Sequence, residues 1–154
     1  MITNFILAPI LLHMLTAIVL LFFWRNIAAQ KVISVIGNFL AFLLCLRLFW
    51  ATEEFSYLIV QVGSWEAPFV IIFVSDALSS IMVVLTAIIS LAVGIYSTVA
   101  INPSRIKYGY FVIFHFLVMG LLGSFLTGDI FNLYVWFEVV IISSFVLLTL
   151  GGKR

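Results

Sequence analysis

One carboxylate lies deep inside an apolar run. The stretch Gly128-Asp129-Ile130-Phe131-Asn132-Leu133-Tyr134-Val135-Trp136-Phe137-Glu138-Val139-Val140 opens a segment that continues to Leu150. At about 1.5 Å of rise per residue, the steps from Asp129 to Glu138 cover roughly 13–14 Å. That is near half of a hydrocarbon layer about 30 Å thick. An ionisable group at that depth is costly, so it reads as part of an ion or proton path. Low dielectric disfavours the charged carboxylate and raises its affinity for a proton, whereas a cation brought close reverses the effect. One glutamate and one mobile cation therefore suffice for a cycle of proton uptake and release. His115 is the second candidate. It lies about 12 Å of helix rise from Lys107, and is open to two readings: the polar track of Glu138, or a structural hydrogen bond. His13, in the first apolar run, is expected as a neutral imidazole bonded to a neighbouring helix, with proton handling as the sharper alternative. Asp76 and Asp129 stand where helices should start and read as caps.

These residues need a membrane around them, and the composition supplies it. The chain is 66% hydrophobic and 8% charged, against about 45–50% and about 25% in soluble domains. The expectation is an all-α membrane protein. A net charge of +1 gives no electrostatic case for nucleic acid. Cys45 is the only cysteine; it can form no internal disulfide, no Cys/His spacing suggests a metal, and it reads as an apolar packing residue. No nucleophile–base constellation marks an enzyme, and no cofactor is expected. No basic residue precedes the first apolar run and no A-x-A site follows it, so that run reads as a retained anchor rather than a signal peptide.

Five transmembrane helices are predicted in a single membrane domain over 1–154, at about 5–24, 32–50, 77–99, 108–126 and 129–150. Arg47 and Trp50 should end the second at the interface, with Arg47 snorkelling. The link 52–76 holds two β-rich runs, Tyr57–Val62 and Phe69–Val74, around Gly63-Ser64-Trp65-Glu66-Ala67-Pro68; it reads as an extended or hairpin-like loop lying against the membrane face. Ala87, Ser90, Gly94 and Ser97 form a stripe of small residues for close helix packing, as do Gly120 and Ser124. Asn102-Pro103-Ser104-Arg105 reads as a turn, and Gly151-Gly152 as a helix stop. Arg25, Lys31, Arg105, Lys107, Lys153 and Arg154 fall on one side of a five-span chain; Glu53, Glu54, Glu66, Asp76 and Asp129 fall on the other. Basic loops stay in the cytoplasm. The N-terminus is therefore expected outside, the C-terminus in the cytoplasm, and the 52–76 loop outside.

Gly128 to Glu138 resembles the signature of the D-type subunits of Mrp-type multisubunit cation/proton antiporters. Val62-Gly63-Ser64-Trp65-Glu66-Ala67-Pro68-Phe69 and Ser75-Asp76-Ala77-Leu78-Ser79 are similar to the loop before the third helix of the same subunits. The match in order and spacing runs from about Gln61 to Gly152, while the first sixty residues fit by hydropathy. The resemblance implies a subunit of a monovalent cation (Na+)/proton antiporter in the cell (inner) membrane, multi-pass, working with other membrane subunits. It also implies that Glu138 is the fifth-helix glutamate of proton transfer. The wider superfamily offers an alternative, a proton-pumping subunit of complex I or of a membrane-bound hydrogenase. In the family, intramembrane lysines on later helices partner the glutamate, within inverted repeats. No lysine falls within a predicted span here, so a second polypeptide is expected to supply one, or the chain is a truncated product with at most an assembly role.

Overall fold

The computed structural model describes residues 3–63 and 70–150. A 3-10 turn, Thr3–Leu7, leads into α1 (Ala8–Phe22) and α2 (Ile27–Phe55). The strands β1 (Leu58–Val62) and β2 (Ile71–Ser75) follow. Then come α3 (Ala77–Ala100), the short α4 (Pro103–Lys107), α5 (Tyr110–Leu126) and α6 (Ile130–Thr149). Four helical segments are long and apolar enough to cross a membrane; they correspond to α1 with its leading turn, α2, α3 and α6. α5, at 17 residues, is about 25 Å long and falls just short.

Local chemistry sets the boundaries. Pro9 sits in the first turn of α1, where a missing N–H is tolerated. Asn26 caps α2, accepting from the Ala29 amide at 3.1 Å. α2 is longer at both ends than its predicted 32–50, and it takes in Lys31 at one end and Glu53 and Glu54 at the other. These charged residues fit because the ends of such a long helix reach the interface, where side chains snorkel. Arg47, for its part, packs over the Phe5 ring at 5.2 Å. Pro103 starts α4, a helical turn where the sequence predicted only a turn, with Asn102 accepting from the Ser104 amide at 3.0 Å. Gly109 then takes φ +92°, a left-handed conformation that favours glycine, and a Cβ there would meet the Trp24 ring.

The 52–76 link does form a hairpin. β1 pairs with β2 antiparallel, from Leu58 opposite Ser75 to Val62 opposite Ile71. Residues 64–69, between the strands, lie outside the described residues, as do the predicted helix stop at Gly151-Gly152 and the terminal Lys153 and Arg154. The hairpin is tied to the start of α6: the Gly128 amide donates to the Ile72 carbonyl at 2.7 Å, and the Ile72 amide donates to Asp129 Oδ2 at 3.2 Å. Thr52 and Ser75 hydroxyls meet at 2.8 Å. Under the hairpin, Leu58, Val60 and Phe73 join Ile6, Leu48, Val83, Leu122 and Leu126 in the main apolar core.

Small residues set the helix spacing. Ala87, Ser90, Gly94 and Ser97 are all buried on one face of α3, and a Cβ on Gly94 would lie 2.9 Å from the Asn38 amide nitrogen of α2. Between α5 and α6, a Cβ on Gly120 would lie 2.8 Å from Val140 Cγ2, and one on Gly123 would collide with the Trp136 indole. Apart from Arg47, which lies over Phe5 toward the hairpin, and Glu138 within α6, the charges on the described residues separate by end. Glu53, Glu54, Asp76 and Asp129 gather where the hairpin is. Arg25, Lys31, Arg105 and Lys107 gather at the opposite end.

Candidate functional site

Glu138 is eight residues into α6 and eleven from its end at Thr149. At about 1.5 Å per residue it is roughly 12 Å from one end and 16 Å from the other, in mid-span. The helix that carries it is well fixed at its start. Asp129 is the cap: Oδ1 accepts from the Asn132 amide at 2.7 Å, while Oδ2 holds β2. Asn132 in turn donates to Thr127 Oγ1 at 2.9 Å. α5 lies against the side of α6 formed by Trp136, Val139, Val140 and Ser143. Glu138, about 100° around the helix from Val139, points away from α5 and is half-buried. Tyr134, one turn earlier, shares that side of the helix. Phe131, Phe137, Ile141 and Phe145 are exposed along the outer sides of the helix. α6 is the least covered of the four long helices.

His115 is elsewhere. Gly120 and Gly123 give α5 its face toward α6, whereas His115 meets α1 and α2. Its Nδ1 lies 2.8 Å from His13 Nδ1, and its Nε2 lies 3.0 Å from Ser34 Oγ. The ring centroids are 5.1 Å apart. His13 thus bonds to a neighbouring helix, as the sequence suggested, and its partner is the other histidine of the chain. Among the described residues no hydrogen bond links His115 to Glu138. The structure brings the two histidines together and leaves the glutamate apart from them.

Three residues that sequence reading passed over complete the polar interior. Gln30, Ser34 and Asn38 are fully buried on α2. Asn38 donates to the Ser34 carbonyl at 2.8 Å, and Gln30 donates to the Trp24 carbonyl at 2.7 Å. Their signal was the four-residue spacing, which puts all three on one helical face. The acidic caps behave as their positions implied. The Ser79 amide donates to Asp76 Oδ1 at 2.7 Å, and the Asp76 amide donates to Ser79 Oγ at 2.8 Å. Bonding from Ser79, its backbone amide first and its hydroxyl second, holds the Asp76 carboxyl below the usual carboxylate range. Cys45 is buried and unpaired among the described residues.

Apolar helices long enough to span a bilayer, with ionisable side chains held between and upon them, define a multi-pass membrane chain. Its relatives narrow the class. Over 151 residues, 98% of this chain, it is 35% identical to the D-type subunit of the Na(+)/H(+) antiporter of Bacillus subtilis (strain 168), covering 31% of that protein. It is 33% identical over 153 residues to the corresponding Na(+)/H(+) antiporter protein of Alkalihalophilus pseudofirmus, covering 98% of this chain and 31% of the relative. It is 34% identical over 151 residues to the putative antiporter subunit mnhD2 of Staphylococcus aureus (strain JH9), covering 98% and 30%. The chain is a homologue of these D-type antiporter subunits, and it spans about a third of their length. No protein-family model matches. Among solved structures, a chain of the archaeal membrane-bound sulfane sulfur reductase superposes with a TM-score of 0.83 at 24% identity, covering 99% of this chain and 31% of that one. A chain of the Mrp complex from Dietzia sp. DQ12-45-1b gives 0.80 at 24% identity, covering 95% and 26%. At that identity the two structures establish a shared fold.

Proposed function

We propose that this chain acts within a multisubunit monovalent cation (Na+)/proton antiporter of the cell (inner) membrane, and that Glu138 is its intramembrane proton-transfer group. The observation that carries the reading is the mid-span carboxylate on the uncovered side of α6. A carboxylate facing acyl chains is strongly disfavoured, and such groups in membranes turn toward protein or water-filled cavities. The side of α6 that carries Glu138 is therefore a protein-facing surface, to be covered by further helices of the assembly. The D-type antiporter homologues, about three times as long as this chain, are in keeping with this. A cation on such a covering helix would stabilise the ionised carboxylate, and its withdrawal would make Glu138 take up a proton. Exchange of a proton for a monovalent cation elsewhere in the complex follows if the two events are coupled. The five-span arrangement, with the hairpin outside and the C-terminus in the cytoplasm, is part of this proposal. It is supported by the separation of acidic and basic ends.

The test is Glu138→Gln in the assembled complex in membrane vesicles, with Glu138→Asp beside it. The amide keeps size and hydrogen bonding but cannot gain or release a proton. Cation-driven proton movement should fall at least about tenfold in Glu138→Gln, in line with the loss of a positioned proton-transfer group, and should be partly retained in Glu138→Asp. Normal proton movement in the glutamine variant would remove the role assigned to Glu138.

A further inference from the structure

The two histidines form a device separate from Glu138. We propose that Ser34, His115 and His13 are a proton relay inside the bundle, entered from the basic end through Ser34 and ending at His13 Nε2. The two Nδ1 atoms face each other at 2.8 Å, so one donates and the other accepts. Each ring then has its Nε2 directed outward from the pair. One Nε2, that of His115, meets Ser34 Oγ at 3.0 Å; the other, that of His13, is buried with no hydrogen-bond partner among the described residues. Two imidazoles joined through one nitrogen each, with the second nitrogen of each open to exchange, make a series conductor for protons.

The step balances. In the starting tautomer His115 carries its proton on Nδ1, donating to His13 Nδ1, and His13 carries its proton on Nε2. Ser34 Oγ gives a proton to His115 Nε2 and regains one from its outer side. The His115 Nδ1 proton crosses to His13 Nδ1, and His13 passes its Nε2 proton to a water molecule at the far end of the relay. Three bonds to hydrogen form within the relay, three break, and both rings end neutral in the opposite tautomer. The reverse sequence carries a proton the other way, and a second proton in the first direction passes once both rings have turned over to their starting tautomers. Neutrality between transfers matters, because both rings are fully buried and an unpaired buried charge is costly. Among the described residues the hydrogen bonds of the pair run only to each other and to Ser34, and no carboxylate or basic side chain bonds to either ring. Gln30 and Asn38, one turn either side of Ser34 on α2, are buried and uncharged.

The approach to the relay is polar as well. Ser34 is seven residues from the start of α2, about 10 Å from the basic end of the bundle. Gln30 lies one turn nearer that end, with Oε1 buried and unpartnered among the described residues, and Asn38 lies one turn deeper with Oδ1 in the same condition. Unsatisfied buried polar atoms are uncommon, and each calls for a physical reason. A purely structural cluster would be expected to satisfy them within the protein, whereas a path that handles protons needs open donor and acceptor positions at both ends. Water held by two to four polar partners is the usual occupant of such positions.

The inference rests on the chain being a proton-handling subunit, and its test separates the two claims. His115→Gln, His13→Gln and Ser34→Ala are assayed beside Glu138→Gln in the assembled complex in membrane vesicles. Proton movement is normalised to the amount of complex present. An amide in place of either imidazole keeps a hydrogen bond but interrupts transfer between two ring nitrogens. Each histidine variant should slow proton movement by about tenfold or more, and the double variant should be no slower than either single one, because one path is broken in each. If the histidine variants fail to assemble, Ser34→Ala against Ser34→Thr decides: the alanine variant should be slow and the threonine variant near normal. Normal rates per assembled complex in His115→Gln, or equal rates in Ser34→Ala and Ser34→Thr, would overturn the relay. With Glu138→Gln inactive, that outcome would leave the role of Glu138 standing. A normal Glu138→Gln with slow histidine variants would do the opposite.

Discussion

At the residue scale, two kinds of buried polar chemistry coexist in one apolar chain. Glu138 faces outward from the bundle, whereas His13 and His115 face inward and bond to each other. Asp76 is a third case, an acidic cap whose behaviour follows from its bonds. Its folded-state carboxyl is held below its ordinary value by the Ser79 amide and hydroxyl. The stabilisation it gives is therefore present above about pH 4, the ordinary range of an aspartate, and is lost as pH falls through the lowered folded value. Asp76→Ala should destabilise the folded chain by about 1 kcal/mol at neutral pH, and the difference from the parent should narrow in strong acid; thermal unfolding in detergent across pH checks both. The mid-helix position of Glu138 and the caps Asp76 and Asp129 were legible in the sequence, because an acidic residue inside or at the edge of an apolar run has few explanations. The histidine pair was not legible as a pair. The two residues are 102 positions apart, and only the packing of α1 against α5 decides that they meet.

At the element scale, the caps and contacts that fix α6 also fix the hairpin. Asp129 bonds at once to the first turn of α6 and to β2. Asp129→Ala should release the Ile72 amide to exchange with solvent while β1 and β2 stay paired, because the strand-to-strand bonds do not involve Asp129. Hydrogen exchange at Ile72 against Phe73 and its neighbours reads this out, and unchanged protection would contradict the clamp. Gly123 makes the opposite demand, for space. The Trp136 indole occupies the volume that a side chain there would fill. Gly123→Val should lower stability by about 1–3 kcal/mol through overpacking, measured as a drop in the unfolding midpoint. The helical runs and the hairpin were readable from hydropathy and from β-rich segments around a Gly/Ser/Pro cluster. The extension of α2 to Phe55 was not, because Glu53 and Glu54 look like loop residues until the helix end is known to reach the interface. Nor was the Gly123–Trp136 contact, which depends on how α5 and α6 cross.

At the scale of the whole molecule, the chain is a helix bundle with an acidic, hairpin-capped end, a basic end, and one long helix left largely uncovered. The proposed orientation can be read with single cysteines, since Cys45 is buried and should not react. Tyr57→Cys should label with an impermeant thiol reagent from outside intact cells, and Lys107→Cys only after the membrane is opened; the reverse pattern would invert the topology. Under the proposed function, the uncovered side of α6 is covered by further helices of the assembly. The central claim is that Glu138 holds and releases a proton within the membrane, and infrared difference spectroscopy of the assembled complex tests it most directly. Driving the cation gradient one way and then the other should make a protonated-carboxyl C=O band rise and fall, and that band should be absent in Glu138→Gln. A band that persists unchanged in the glutamine variant would contradict the claim.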